Sequence, residues 1–291
     1  MTEPGRIVAA AVVAHQPTIM LDQGRRMALG GGTDTTLVEP GFRELRAHLE
    51  QRAVDTLVIV DTHWFTTFEH VLAGAEHFAG RYTSEEVPRV ISDLPYDFPG
   101  APRLARAVHA AATRRGVRTT NATSAHLPLH YPTINLVHWL RSEQQVLSVG
   151  ILQTAGAQEF LRFGQVLADA VAATDGVRAA LLASGGMSHT FHDSDTIAEH
   201  LGYGEEHLHS AEARAFDHRI LDWWAAGDHA AVVDAYPQYR ACSPEGRFGH
   251  YLITAGALGG RAWTAPGRPC SRYENSAGTG QVHVIFDLDP A

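Results

Sequence analysis

The 291-residue chain is 45% apolar and 19% charged, which supplies material for a large core and argues against disorder. Its net charge of −9 gives no general attraction to phosphate backbones, so nucleic acid is not an expected partner. All 23 basic residues are Arg; without Lys, a Schiff base, a Walker-A lysine and a lysine general base are excluded.

The first apolar run, residues 7–14, is continuous and rich in Val and Ala, the pattern of a strand covered on both faces. Residues 22–40 carry Gly30-Gly31-Gly32 and few core residues, so a mobile surface loop is expected. A helix is predicted over 41–54 and a second strand over 56–61 (TLVIVD). Residues 83–100 contain Pro88, Pro95 and Pro99 and read as loop. A helix over 101–115 stops at Gly116, a common C-terminal residue. Then come a strand at 146–151, an amphipathic helix at 157–173 and a strand at 179–183. Helices follow at 210–226, 228–236 and 248–258. A Gly-, Pro- and Ser-rich loop at 264–280 leads to a last strand at 282–288. This alternation predicts an α/β fold. No repeat or linker divides it, so residues 1–291 are expected to form a single catalytic domain. Two cysteines, Cys242 and Cys270, are too few for a disulfide framework or a Cys-based zinc site and suit a reducing cytoplasm. No signal-peptide pattern and no apolar run of about 18 residues occurs, so no membrane association is expected.

The sequence lacks a G-x-G-x-x-G after a strand, a G-x-S-x-G elbow and an H-E-x-x-H. Their absence argues against dinucleotide oxidoreduction, α/β-hydrolase chemistry and zincin proteolysis. Instead, three predicted strands run into histidine: 7–14 into His15, 56–61 into Thr62-His63-Trp64, and 179–183 into a short turn ending at His189. Ligands of open α/β sheets gather outside the carboxyl ends of strands. Glu274, in the loop before the last strand, can reach the same crevice. Two histidines and a carboxylate make the facial triad of non-haem Fe(II) enzymes, and His15, His63 and Glu274 supply such a set, with zinc as the competing metal. His189 then remains free as an acid or base. The plain alternatives are turn or capping histidines and a solvated Glu274. His192, His207 and His209 lie in a polar segment and are expected on the surface. His48, His70, His77, His109, His200, His218 and His229 are expected on the surface or on helix faces.

At these residues the sequence resembles the class III, LigB-like extradiol catechol dioxygenases. The resemblance is carried by A-H-Q-P at 14–17, D-T-H-W at 61–64, A-S-G-G-M-S-H at 183–189 and E-N-S-A-G-T-G-Q at 274–281. It is closest to the branch acting on 3,4-dihydroxyphenylacetate (homoprotocatechuate), through R-Y-T-S-E-E-V-P at 81–88 and P-E-G at 244–246. It runs from about residue 7 to about residue 288.

The resemblance implies an αβα sandwich with a central mixed sheet, Fe(II) as cofactor, and a catechol and O₂ as substrates. It further implies cleavage beside the diol to a hydroxymuconic semialdehyde, and a homo-oligomer. It assigns His15, His63 and Glu274 to the metal and His189 to acid–base work. Many members carry D-H-G in mid-chain, whose His is a second acid/base. Here the stretch is Leu129-His130-Tyr131-Pro132, so Tyr131 or His130 takes that place, with His126 a weaker candidate. Pro132 is expected to hold Tyr131 extended. Arg247, Arg25 and Arg268 are loop cations that a carboxylate-bearing catechol could use. Other rings stay open: protocatechuate, gallate, 2,3-dihydroxyphenylpropionate, a bicyclic catechol or a 2-aminophenol. A metal-binding relative without ring cleavage and a zinc hydrolase are the alternatives of another class.

Overall fold

The computed structural model describes residues 3–124 and 126–288; residues 1–2, 125 and 289–291 of the expected 1–291 domain lie outside the described residues. The first half of the chain forms β1 (Arg6–Val13), α1 (Gln23–Leu29), α2 (Arg43–Gln51), β2 (Thr56–Thr66), β3 (His70–Ala73), β4 (His77–Tyr82), β5 (Leu94–Pro99), α3 (Pro102–Arg115), β6 (Thr119–Ala122) and α4 (Tyr131–Leu140). The second half forms β7 (Gln145–Leu152), α5 (Ala157–Ala172), β8 (Arg178–Ser184), α6 (Ala211–Ala225), α7 (His229–Tyr239), α8 (Gly249–Ala257), β9 (Gly267–Pro269), β10 (Glu274–Ser276), β11 (Thr279–Gln281) and β12 (His283–Phe286).

Eight strands make one sheet in the order β6-β3-β7-β2-β8-β1-β12-β9. Its centre is parallel: β2 pairs β7 and β8, and β8 pairs β1. The flank is antiparallel, with β12 on β1 and β9 on β12. Along β2, Val58 and Val60 enter one apolar core while Leu57 and Ile59 enter the other. Successive side chains of a strand point to opposite faces, so both faces are covered. α3, α5 and α8 contribute to the first core, and α2 and α4 to the second. This is the expected αβα sandwich on a mixed sheet. The register sets Val13 and Asp61 on either side of Ser184. The carboxyl ends of β1, β8 and β2 therefore meet in one row.

Several expectations need correction. The segment 22–40 is not a bare surface loop: it forms α1, and Thr35, Leu37 and Val38 are buried. Residues 83–100 supply β5, which pairs β4, and 264–280 supply β9, β10 and most of β11. Helix α4 has little sequence periodicity to reveal it, because seven of its residues are buried, among them the polar Thr133 and Asn135, and a helix buried on most sides lacks a clean amphipathic pattern. Pro132 sits in its first turn, and Tyr131 opens the helix rather than staying extended. The first turn needs no N–H from that position, so Pro is tolerated there.

His70 is fully buried on a strand rather than on the surface or a helix face, whereas His229 does lie on a helix, α7, with its side chain buried. His192 and His207 are half-buried, and the His192 ring stacks on His200 at 3.6 Å. His70, on β3, stacks on Phe163 with ring centroids 3.8 Å apart, and neither ring nitrogen has a hydrogen-bond partner among the described residues. Burial pushes its pKa down to about 3. Below pH 6.5 the unfolded chain takes up a proton here that the folded chain refuses, so stability falls as pH falls toward 3. His70→Phe is therefore expected to gain roughly 2 kcal/mol more at pH 5 than at pH 8, read as the difference in Tm between the two pH values. Equal shifts at both pH values would count against this.

Candidate metal centre

The sheet delivers the two histidines differently. His15 follows the end of β1, and its carbonyl accepts from Asn135 Nδ2 at 2.9 Å. His63 lies in a break within β2: pairing with β7 runs to Asp61–Gly150 and resumes at Phe65–Ile151. Thr62, His63 and Trp64 are thus looped out of the ladder, as extra residues in a bulge are. A side chain at Gly150 would meet the Trp64 carbonyl at 2.9 Å, so the close approach requires glycine. Buried Asp61 anchors the bulge by accepting from the N–H groups of His63 (3.0 Å) and Trp64 (3.1 Å). It also accepts from Thr133 N–H at 3.1 Å and Thr133 Oγ1 at 2.6 Å. One carboxylate thereby sets His63 and the start of the helix that carries Tyr131.

The third member comes from elsewhere. Glu245 is buried, with Oε1 3.0 Å from His15 Nε2 and 3.4 Å from His63 Nε2. Donor atoms of His15, His63 and Glu245 lie within 4.8 Å of one another. Glu245 opens a turn in which Gly246, Arg247 and Phe248 take φ values of 53°, 57° and 59°. Left-handed backbone at non-glycine residues costs on the order of 1–3 kcal/mol each and persists where the surroundings over-determine it. Here Thr62 Oγ1 donates to Glu245 Oε1, Gly186 N–H donates to Oε2, and Glu245 N–H donates to the Met187 carbonyl at 3.0 Å.

Glu274 does not join this cluster, which corrects the expected ligand set. Its Oε2 accepts from Thr35 Oγ1 at 2.6 Å, and its Oε1 from Thr36 N–H (2.8 Å) and Thr36 Oγ1 (2.6 Å). It lines a separate cavity of about 690 Å³ with Tyr203, His207 and Arg272. The sequence placed it before the last strand, but β10–β11 is a separate hairpin that turns this carboxylate toward the 33–36 segment.

The donor set fits a divalent cation. His15 Nδ1 is 2.9 Å from Ser184 Oγ, and His63 Nδ1 is 2.7 Å from Glu86 Oε1. A cation seated beside Glu245 would take the Nε2 atom of each ring as its ligand while each Nδ1 keeps its proton toward its partner. Metal-binding histidines are oriented in this way by partners on the other nitrogen. The electrostatics point the same way. Burial opposes a charge on His63, yet the Glu245 and Glu86 carboxylates outweigh it and raise its pKa to about 10. Burial likewise opposes the charge on Glu245, but His15, His189 and His63 hold it well below the usual carboxylate range. The centre favours a positive charge.

Around it, His189 Nε2 is 3.9 Å from Glu245 Oε2, and burial lowers the His189 pKa, so the ring is a neutral proton acceptor near pH 7. The Tyr131 hydroxyl lies 2.7 Å from His63 Nε2. Burial, followed by the charges of Glu245 and Glu86, raises its pKa and keeps the phenol protonated. His130, by contrast, turns away: its ring packs on Trp64, and its Nδ1 is 3.4 Å from Glu85 Oε1. His126 is exposed. Sequence reasoning missed Glu245, Glu86, Ser184 and Asp61. The available signals were P-E-G at 244–246 and the acidic pair at 85–86, both inside the motifs quoted above.

Residues 9–287 match the family described as the catalytic LigB subunit of aromatic ring-opening dioxygenase. The chain belongs to the LigB family. It is 27% identical over 272 residues to 3,4-dihydroxyphenylacetate 2,3-dioxygenase of Escherichia coli, covering 89% of this chain and 95% of that protein. It is 23% identical over 249 residues to the 2-aminophenol 1,6-dioxygenase beta subunit of Pseudomonas sp, covering 81% of this chain and 79% of that one. Among solved structures it resembles the uncharacterized protein JW3007 of Escherichia coli K12, with a TM-score of 0.58 at 15% identity over 96% of this chain and all of that one. That likeness concerns the fold. Within the LigB family this chain is an extradiol dioxygenase, with the His15–His63–Glu245 cluster as its candidate metal centre. No described helix is long and apolar enough to cross a membrane.

Proposed function

We propose that this extradiol dioxygenase holds Fe(II) on His15, His63 and Glu245 and opens 3,4-dihydroxyphenylacetate beside its diol. The product would be a hydroxymuconic semialdehyde that contains both atoms of O₂, so no external reductant is needed. The observation that carries this reading is the meeting of two imidazoles and one carboxylate within 4.8 Å, with His189 3.9 Å from the far oxygen of that carboxylate. The choice of ring is supported by the 27% identity to the Escherichia coli enzyme.

When bound, the ferrous ion supplies a Lewis acid that acidifies a phenol and a template that holds the ring beside O₂. The protein does the rest. His189, neutral in its buried setting, takes a catechol proton at Nε2 and returns it as the ring opens. Tyr131, held protonated, serves as the second proton donor in place of a mid-chain histidine. Glu86 and Ser184 fix the two metal-facing imidazoles. We also propose that the chain acts as one catalytic domain within a cytoplasmic homo-oligomer, a setting that suits the free thiols of Cys242 and Cys270.

The test is O₂ uptake by anaerobically purified, Fe(II)-loaded protein with 3,4-dihydroxyphenylacetate, recorded with the visible spectrum. One O₂ consumed per substrate, with a rising yellow semialdehyde band, is the expected result. Absence of uptake across that compound, the other catechols and 2-aminophenol, with iron bound, would overturn the proposal. Activity with Zn(II) in place of Fe(II) would overturn the metal assignment.

A further inference from the structure

We propose that Arg247 selects substrates whose ring carries a carboxylate side arm. The inference rests on the ring-cleavage proposal, since it concerns the same cavity. That cavity, of about 210 Å³, is lined by Phe65, Ile151, His189, Glu245 and Arg247 among others. It therefore joins an apolar wall suited to an aromatic ring, the acid/base, a metal-facing carboxylate and one permanent cation.

Arg247 is held there by its backbone. It is the middle of the three left-handed residues that follow Glu245. Its N–H donates to the Pro244 carbonyl at 3.1 Å. Gly246 before it has no room for a side chain, because a Cβ would lie 2.5 Å from Thr62 Cγ2. The turn that presents the metal-facing carboxylate thus also places the arginine.

Among the described residues the Arg247 side chain has no hydrogen-bond or ion-pair partner. Its Nε is buried with no hydrogen-bond acceptor, and Arg247 forms no ion pair among the described residues. The two rival cations are engaged elsewhere. Arg25 pairs with Asp22 at 3.4 Å, and Arg268 pairs with Glu44 at 3.0 Å. A buried donor left unsatisfied is costly, and native structures leave few of them without a reason. A guanidinium presents paired N–H groups that match a carboxylate. A catechol with an anionic arm would supply the acceptor that the protein withholds, and a neutral catechol would not.

The experiment compares 3,4-dihydroxyphenylacetate with 4-methylcatechol on Fe(II)-loaded wild type, Arg247→Gln and Arg247→Lys. Wild type is expected to favour the acid in kcat/KM. Arg247→Gln should collapse that preference by about 10–100-fold, the range for a charge-assisted contact, and Arg247→Lys should restore part of it. A parallel calorimetric titration of iron-free protein uses 4-hydroxyphenylacetate and 4-methylphenol. Arg247→Gln should weaken binding of the first far more than of the second. An unchanged substrate ratio, together with equal binding of 4-hydroxyphenylacetate to wild type and variant, would overturn the role of Arg247 while leaving ring cleavage intact. Failure of wild type to consume O₂ with either catechol, alongside Arg247-dependent binding of the acid, would remove the ring-cleavage proposal and retain the anion site.

Discussion

Glu245→Gln is expected to strip iron from the protein and lower turnover at least about 10³-fold, the scale on which members of an interdependent catalytic set fail. An amide is a neutral, weaker ligand. It also removes the charge that faces His15 and His63 at 3.0 and 3.4 Å. The companion variant is Glu274→Gln. That carboxylate accepts three hydrogen bonds from Thr35 and Thr36, so its loss should cost roughly 1.5–3 kcal/mol of stability for each charged contact weakened. It should nevertheless leave iron bound to the protein that remains folded. Metal content per folded chain, measured with O₂ uptake, separates the two. Iron retained by Glu245→Gln and lost from Glu274→Gln would reverse the assignment made from the geometry.

The second large effect belongs to His189. His189→Ala is expected to keep iron and substrate binding and to lose about 10²–10⁴ in turnover, the usual contribution of a positioned acid/base. The separation of functions follows from position. The 3.9 Å from His189 Nε2 to Glu245 Oε2 puts the ring beside the cluster, and the three donors that converge are His15, His63 and Glu245. Its backbone is fixed independently, by His189 N–H donating to the Ser243 carbonyl at 3.1 Å. Iron content by mass spectrometry and single-turnover product formation are the readouts. Full turnover in the variant would remove the role, and loss of iron would move His189 into the metal's ligand set.

The sheet and two of the three cluster residues were legible because they obey local rules. Continuous β-branched and Ala-rich runs fix β1, β2, β7 and β8, and a histidine just past β1 or just past the end of the β2–β8 pairing lies at the crevice by topology alone. Glu245 obeys no such rule. Its position depends on three successive left-handed residues, two of them Arg247 and Phe248, a conformation that residue type does not announce. Glu274 looked suitable because it precedes a strand, yet the direction of a carboxylate on a detached hairpin is set by its partners, here Thr35 and Thr36. Tyr131 comes within 2.7 Å of His63 Nε2 because it opens helix α4, a helix whose buried Thr133 and Asn135 blur its period. His70 was misplaced for a related reason: β3 is only four residues long, too short for alternation to distinguish a buried ring from an exposed one.

The strand order has one further consequence, for how the folded state and its ion depend on each other. His15 and His63 come from the first quarter of the chain, and more than half of the chain separates His63 from Glu245. An unfolded polypeptide therefore offers no local chelate made from these three donors, which coexist only once β1, β8 and β2 stand side by side and the turn after Ser243 has closed over them. Such an ion binds the native state in preference to the unfolded one, so it adds free energy against unfolding that grows with the logarithm of its concentration, up to about 2.7 kcal/mol at one hundred times its dissociation constant. Starvation for the metal would then leave a chain that is not merely idle but easier to unfold, and its abundance would follow the supply of its ion.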